Sequence, residues 1–114
     1  TLRIEGAKVG NETSYNVIAT KKPTFKKKAT NDIIVLGSHL DSVAAAPGAN
    51  DNASGTAMML ELARVLKKLP TDTEIRFTTF GAEEPGLLGS RYYVGNLSDD
   101  EINRTIANFN LDMV

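Results

Sequence analysis

The sequence predicts an α/β domain on a mixed, largely parallel sheet, and three features carry that prediction. Strand-like and helix-like segments alternate between residues 33 and 111. Ile33-Ile34-Val35-Leu36 is continuously apolar, as in a strand covered on both faces. Residues 53–69 hold the strongest helical periodicity in the chain. The order strand, helix, strand, helix, strand implies right-handed crossovers and a substantial parallel part.

Taken in order, Leu2 to Val9 and Tyr15 to Ala19 read as strands that can pair antiparallel, the second being β-branched and apolar. Lys21-Lys22-Pro23-Thr24-Phe25-Lys26-Lys27-Lys28 reads as a solvated loop with a Pro turn. In the helix over 53–69, Met58, Leu62, Val65 and Leu69 recur at helical spacing, and Met59, Ala63 and Leu66 widen the stripe. Pro70 follows, where a helix cannot continue. Residues 74–80 alternate and are rich in β-branched and aromatic types, a strand pattern. Leu87 to Val94 suggests a short helix, and Ser98-Asp99-Asp100-Glu101 has the spacing of a capping box. Ile106 to Leu111 returns to strand character.

With 114 residues the chain is read as one domain, residues 1–30 supplying lead-in strands and a basic loop and 31–114 the functional segments. Composition is that of a folded protein, 41% hydrophobic and 24% charged. No apolar run approaches the ~20 residues of a membrane span. Absence of cysteine excludes disulfides, thiolate metal sites and a cysteine nucleophile. The net charge of −1 removes the basic excess expected of a nucleic-acid binder. Charge is nevertheless uneven: residues 1–30 carry seven Lys/Arg against two Glu, and residues 31–114 six against twelve Asp/Glu. The opening Thr-Leu-Arg has no initiator Met and no signal peptide, so a processed or cropped piece is expected.

The acidic excess gathers just after the predicted sheet strands. Strand 33–36 runs into Gly37-Ser38-His39-Leu40-Asp41, strand 74–80 into Gly81-Ala82-Glu83-Glu84-Pro85-Gly86, and the last strand into Asp112. Pro47-Gly48-Ala49-Asn50-Asp51-Asn52 enters the long helix. Open α/β sheets bind ligands beyond the carboxyl ends of their strands, so these segments can converge. Carboxylates held close repel and raise one another's pKa, and a cation resolves that. Several carboxylates with one imidazole suit zinc or a similar divalent ion better than calcium. Singly, each has a plain reading: His39 hydrogen-bonded at a strand end, Asp51 a helix N-cap, Glu83 and Glu84 solvated loop charges. In His39-x-Asp41 the imidazole can ligate while the carboxylate accepts from its other nitrogen. Pro85 favours extended geometry before it, pointing the two glutamates apart.

Taken together, Gly37-Ser38-His39-Leu40-Asp41-Ser42, Pro47 to Gly55, Gly81 to Ser90 and Asn110-Leu111-Asp112-Met113 closely resemble the secreted co-catalytic zinc aminopeptidases, the bacterial leucyl aminopeptidase and aminopeptidase Y group. The resemblance covers residues 33–113 and implies a three-layer αβα zinc-exopeptidase fold. It implies two zinc ions, with His39 and Asp112 on one, Glu84 on the other and Asp51 bridging. Glu83 becomes the general base and acid, Asp41 the partner of His39, and the Asp51–Asn52 peptide cis. Implied too are peptide substrates with a free N-terminus, no nucleic-acid or membrane partner, and a secreted, extracellular location. The family's second histidine ligand lies much further along, so this chain reads as the N-terminal portion of the domain. Alone it is expected to be inactive, at best singly metallated, and ready to pair through an open sheet edge with the rest of the domain or another copy.

Alternatives are a related zinc carboxypeptidase or deacylase, a non-catalytic receptor-like homologue, and a single-zinc transferase resembling glutaminyl cyclases. The first sets its bridging Asp in a Gly-x-x-Asp-x-Lys context, which Asp51-Asn52-Ala53-Ser54-Gly55 does not fit. Asn11-Glu12-Thr13, Asn96-Leu97-Ser98 and Asn103-Arg104-Thr105 match the N-glycosylation pattern, a short and common one.

Overall fold

A computed structural model describes residues 1–9 and 11–114. Five strands, β1 (Leu2–Val9), β2 (Glu12–Lys21), β3 (Ile33–His39), β4 (Glu74–Phe80) and β5 (Thr105–Asn110), alternate with α1 (Gly55–Leu66), α2 (Leu88–Gly95) and α3 (Asp99–Arg104). The sheet order is β1-β2-β4-β3-β5. β3 pairs parallel with β4 and β5, whereas β2 pairs antiparallel with β1 and β4. Only β2 therefore runs against the rest, and the sheet is mixed as predicted. No helix of the described residues is long and apolar enough to cross a membrane.

Helices cover both faces. On one, Met59 of α1 packs with Ile75 and Phe77, flanked by Leu36, Leu62, Ala63 and Leu66. On the other, Tyr93 of α2 meets Ile18 and Phe80, its ring 5.7 Å from that of Phe80. Burying such side chains contributes about 1.5–3 kcal/mol each, so these two clusters hold the helices to the sheet.

The helix differs from its sequence prediction in bounds and in face. It starts at Gly55 rather than 53 and ends at Leu66, and its buried apolar side chain is Met59. Met58, Val65 and Leu69, expected to lead the stripe, are 43%, 41% and 48% exposed. Periodicity located an apolar arc wider than one sheet contact can bury, and the described residues place no element against its outer part. β4 also departs from a simple alternation, since all seven of its residues are buried. Ile75 and Phe77 point to α1, while Glu74 and Arg76 join a charged network beneath α2 and α3. α3 begins as predicted: Ser98 Oγ accepts from Glu101 N–H (3.1 Å), and Glu101 returns a carboxylate oxygen to Ser98 N–H. The lysines at 26–28 are exposed, as a solvated loop requires.

β5 is an edge strand with Ile106 and Phe109 59% and 55% exposed. All three parallel strands end on the same side, and the carboxyl ends of β3, β4 and β5 deliver the polar segments there.

Candidate metal centre

His39 is the last residue of β3, opposite Phe80, and its side chain is 3% exposed. Its backbone is held from α1, where Thr56 Oγ1 donates to the His39 carbonyl (2.9 Å). The ring Nδ1 faces the Asp41 carbonyl oxygen at 3.1 Å. A carbonyl only accepts, so Nδ1 carries the proton and the Nε2 lone pair points the other way. In that direction lie Asp51 Oδ1 at 3.1 Å and Asp112 Oδ1 at 3.3 Å. A lone pair facing two carboxylates is repelled unless a proton or a cation intervenes. Burial pulls the imidazole pKa down, but the Asp112 hydrogen bond and the charges of Glu83, Asp112 and Asp41 outweigh it and hold it above 6.5.

Asp41 does more than the predicted pairing with His39. Its Oδ1 lies 3.6 Å from Nδ1, beyond a good hydrogen bond, because the backbone carbonyl takes that place. The carboxylate instead accepts the backbone N–H groups of Glu83 (3.0 Å) and Glu84 (3.1 Å). One residue thus orients the imidazole and clamps the loop bearing both glutamates. That loop is a tight turn between two left-handed residues, Ala82 (φ 52°) and Leu87 (φ 61°). Such a conformation costs a non-glycine residue roughly 1–2 kcal/mol. Bonds from Leu87 N–H to the Glu83 carbonyl and from Leu88 N–H to the Ala82 carbonyl offset it.

Glu83 and Glu84 face different surroundings. Glu84 joins His39 and Asp51, the ligand atoms of the three lying within 4.8 Å of one another. Glu83 lines a pocket of about 340 Å³ beside His39, walled by Phe80, Tyr93 and Asn110. Among the described residues, Glu84 Oε1 is buried without a hydrogen-bond partner. Burial, then the charges of Asp51 and Glu83, raise its pKa above the ordinary carboxylate value despite His39. An orphaned carboxylate oxygen converging with an imidazole lone pair and a second carboxylate fits a divalent cation, since those donors are what zinc takes. Asp112 meets the cluster from the His39 side only. The Asp51–Asn52 peptide is cis, as the resemblance implied.

The comparisons agree with this architecture. The model of peptidase family M28 matches residues 16–114. The chain belongs to that family. Among its relatives, aminopeptidase YwaD of Bacillus subtilis is 59% identical over 104 residues, 91% of this chain and 22% of the relative. Leucine aminopeptidase 2 of Arthroderma otae is 43% identical over 108 residues, 95% of this chain and 21% of its own. Of solved structures, the aminopeptidase from Aneurinibacillus sp. strain AM-1 superposes with a TM-score of 0.89 at 70% identity, covering 90% of this chain and 25% of that one. BSAP, a zinc aminopeptidase from B. subtilis, gives 0.84 at 59%, covering 91% and 25%. The chain thus spans about a fifth to a quarter of these M28 relatives.

Two residues that matter here escaped sequence reasoning. Asp51 does not cap α1; the amide of Gly55 is taken by Asn52 Oδ1 (3.0 Å). Asn16, also buried, donates to the Gly89 carbonyl (2.8 Å) and accepts from Gly81 N–H (3.0 Å), tying α2 to the loop before Glu83. A Cβ on Gly89 would collide with the Gly81 carbonyl oxygen and Asn16 Oδ1, which explains glycine there. Asn52 sat inside the motif but read as a neighbour of Asp51, and Asn16 carried no signal in a strand of ordinary composition.

Proposed function

We propose that the domain bearing these residues is a zinc-dependent aminopeptidase with two metal ions, cleaving the N-terminal residue from peptides. The observation that carries the reading is Glu84 Oε1, buried and unpartnered among the His39 and Asp51 donors. His39 and Asp112 would hold one ion, Glu84 the other and Asp51 both. Zinc, when bound, supplies a Lewis acid that acidifies water and polarises a carbonyl. Glu83, on the pocket side of His39, takes the proton of the attacking water and returns it to the leaving amine. Asp41 keeps both glutamates in register by holding their amides. The carboxylates around the centre attract the free ammonium of a peptide N-terminus. Secretion is part of the proposal and rests on the family resemblance alone.

In these 114 residues the second metal position has Asp51 and Glu84 and no imidazole, fewer ligands than zinc usually takes. We therefore propose that the isolated chain is inactive, at best singly metallated, and associates through the β5 edge.

The test is zinc titration of the full-length protein, followed by an aminoacyl-p-nitroanilide and its N-acetylated counterpart. Two zinc ions per chain and turnover of the free-amine substrate alone are expected. Preference for the acetylated compound points to a deacylase, and a chain binding no zinc points to a receptor-like homologue.

A further inference from the structure

The last ladder bond runs from Leu111 N–H to the Gly37 carbonyl (2.8 Å), and Asp112 follows outside the sheet. Among the described residues, the bonds recorded on either side of Asp112 beyond that point go to one side chain. Asn52, 2% exposed, donates from Nδ2 to the Leu111 carbonyl (2.9 Å) and accepts at Oδ1 from Met113 N–H (3.2 Å). The same oxygen takes Gly55 N–H at the start of α1 (3.0 Å). The partners determine how the carboxamide is turned, since the carbonyl only accepts and the two amides only donate.

Two segments of chain, 51–55 and 111–113, meet at this group. The turn carrying Asp51 is continuous with Asn52, the first amide of α1 is bonded to it, and Asp112 is bracketed by it. Gly55 completes the arrangement. A Cβ there would collide with both the Leu111 carbonyl oxygen and Asn52 Oδ1, so only glycine lets helix and post-strand segment approach this closely. Met113, at φ 53°, is left-handed, which belongs to the same turn that aims its amide back at Asn52. Asp51 and Asp112 both approach His39 Nε2, at 3.1 and 3.3 Å. Asn52 therefore ties the segment bearing Asp51 directly to the one bearing Asp112, in addition to the bond from Leu111 N–H to the Gly37 carbonyl.

We infer that Asn52 is a positioning residue for the metal centre, its carboxamide locking Asp112 against Asp51 so that both face His39. The inference rests on the metal-centre reading above and adds a residue to it. Asparagine alone has the donor and the acceptor at this length: Asp lacks the donor, Ser lacks the reach, and Gln is a methylene too long for a site this closed.

The test uses the full-length protein. Zinc affinity, measured by competition with a chromophoric chelator, should fall about 10–100-fold in Asn52→Ala, the range for residues that orient metal ligands. The visible spectrum of the cobalt-loaded variant should change as well, and kcat should fall more than KM rises. Met59→Ala is the control: it loses buried contacts on the same helix and should lower Tm while leaving zinc affinity unchanged. If Asn52→Ala does not fold, Asn52→Asp, which keeps an acceptor for the Gly55 and Met113 amides and loses the donor to the Leu111 carbonyl, takes its place. A folded Asn52 variant that holds zinc within twofold of wild type overturns the inference and makes Asn52 a structural residue only. A wild-type protein that takes up no zinc overturns instead the metal-centre reading on which it rests.

Discussion

The two ends of the parallel strands both gather buried or half-buried carboxylates, and they treat them in opposite ways. At the starting end of β4, Glu74 Oε1 meets Arg76 Nε at 2.9 Å, and Oε2 meets Lys22 (2.9 Å) and Arg104 (3.3 Å). Glu101 Oε2 meets Arg76 Nη1 at 2.6 Å, and Tyr93 Oη lies 3.2 Å from the same nitrogen. Burial alone would raise the Glu74 and Glu101 pKa values. The hydrogen bonds and charges of Lys22 and Arg76 for Glu74, and of Arg76 with the Ser98 amide for Glu101, bring them below the usual range. At the finishing end, Asp51 and Asp112 face one imidazole and, among the described residues, Glu84 Oε1 faces no partner. A carboxylate neutralised by arginine is a closed structural account. One left without a cation by its own chain keeps room for a cation from solution. The difference between the ends, rather than acidity itself, marks the functional one.

Mutations can break this contrast from either side. The largest effect is expected from Glu83→Gln in the full-length protein, where kcat of the proposed reaction should fall ~10²–10⁴-fold while zinc content stays constant. A variant keeping a third of wild-type kcat would remove Glu83 from proton transfer. At the other end, Arg76→Leu leaves Glu74 partly unpaired in a closed site. It should cost about 3–5 kcal/mol in urea unfolding with zinc affinity unaltered; a change in affinity would mean that the two ends are coupled.

Removal of metal reads the finishing end alone. At free zinc near 100 times Kd, the holo form should be about 2.7 kcal/mol more stable than the chelated form, and equal melting curves would deny a folded-state site. Asp51→Ala should abolish the two-zinc stoichiometry, whereas Asp41→Ala, which frees the Glu83 and Glu84 amides, should cost ~10–100-fold in affinity or turnover. Retention of two zinc ions in Asp51→Ala would return Asp51 to an ordinary loop carboxylate.

The smallest effect is in the acid limb. Glu74 and Glu101 have folded pKa values below their unfolded ones, so the stability they contribute is complete above about pH 5. It is lost as pH falls through the folded values. Urea midpoints measured from pH 6 to pH 3 should therefore fall less steeply in Arg76→Leu than in wild type. Parallel curves would show that the network contributes nothing to acid sensitivity.

Much of this molecule is readable along the chain because local chemistry acts locally. β3 follows from an apolar run, α3 from a capping box, and the four segments bearing His39, Asp51, Glu83-Glu84 and Asp112 announce themselves by residue type and by where strands must end. That they meet follows from parallel strand direction. Periodicity cannot say which arc of an over-wide apolar stripe the sheet will take, so Met59 rather than Met58 became the core residue. Nor can alternation reveal that both faces of β4 are covered, which turns Glu74 and Arg76 from surface charges into a buried pair. Asn52 and Asn16 are the sharpest case. Asn52 bonds to groups 59 and 61 positions away as well as to Gly55 near at hand. Asn16 bonds to groups 65 and 73 positions away, and an amide side chain has no periodicity to betray such partners. Residue type and order along the chain determined the donors available. Only the tertiary fold decided which peptide groups came within reach of a carboxamide, because hydrogen bonds are selected by distance in space and not by separation in sequence.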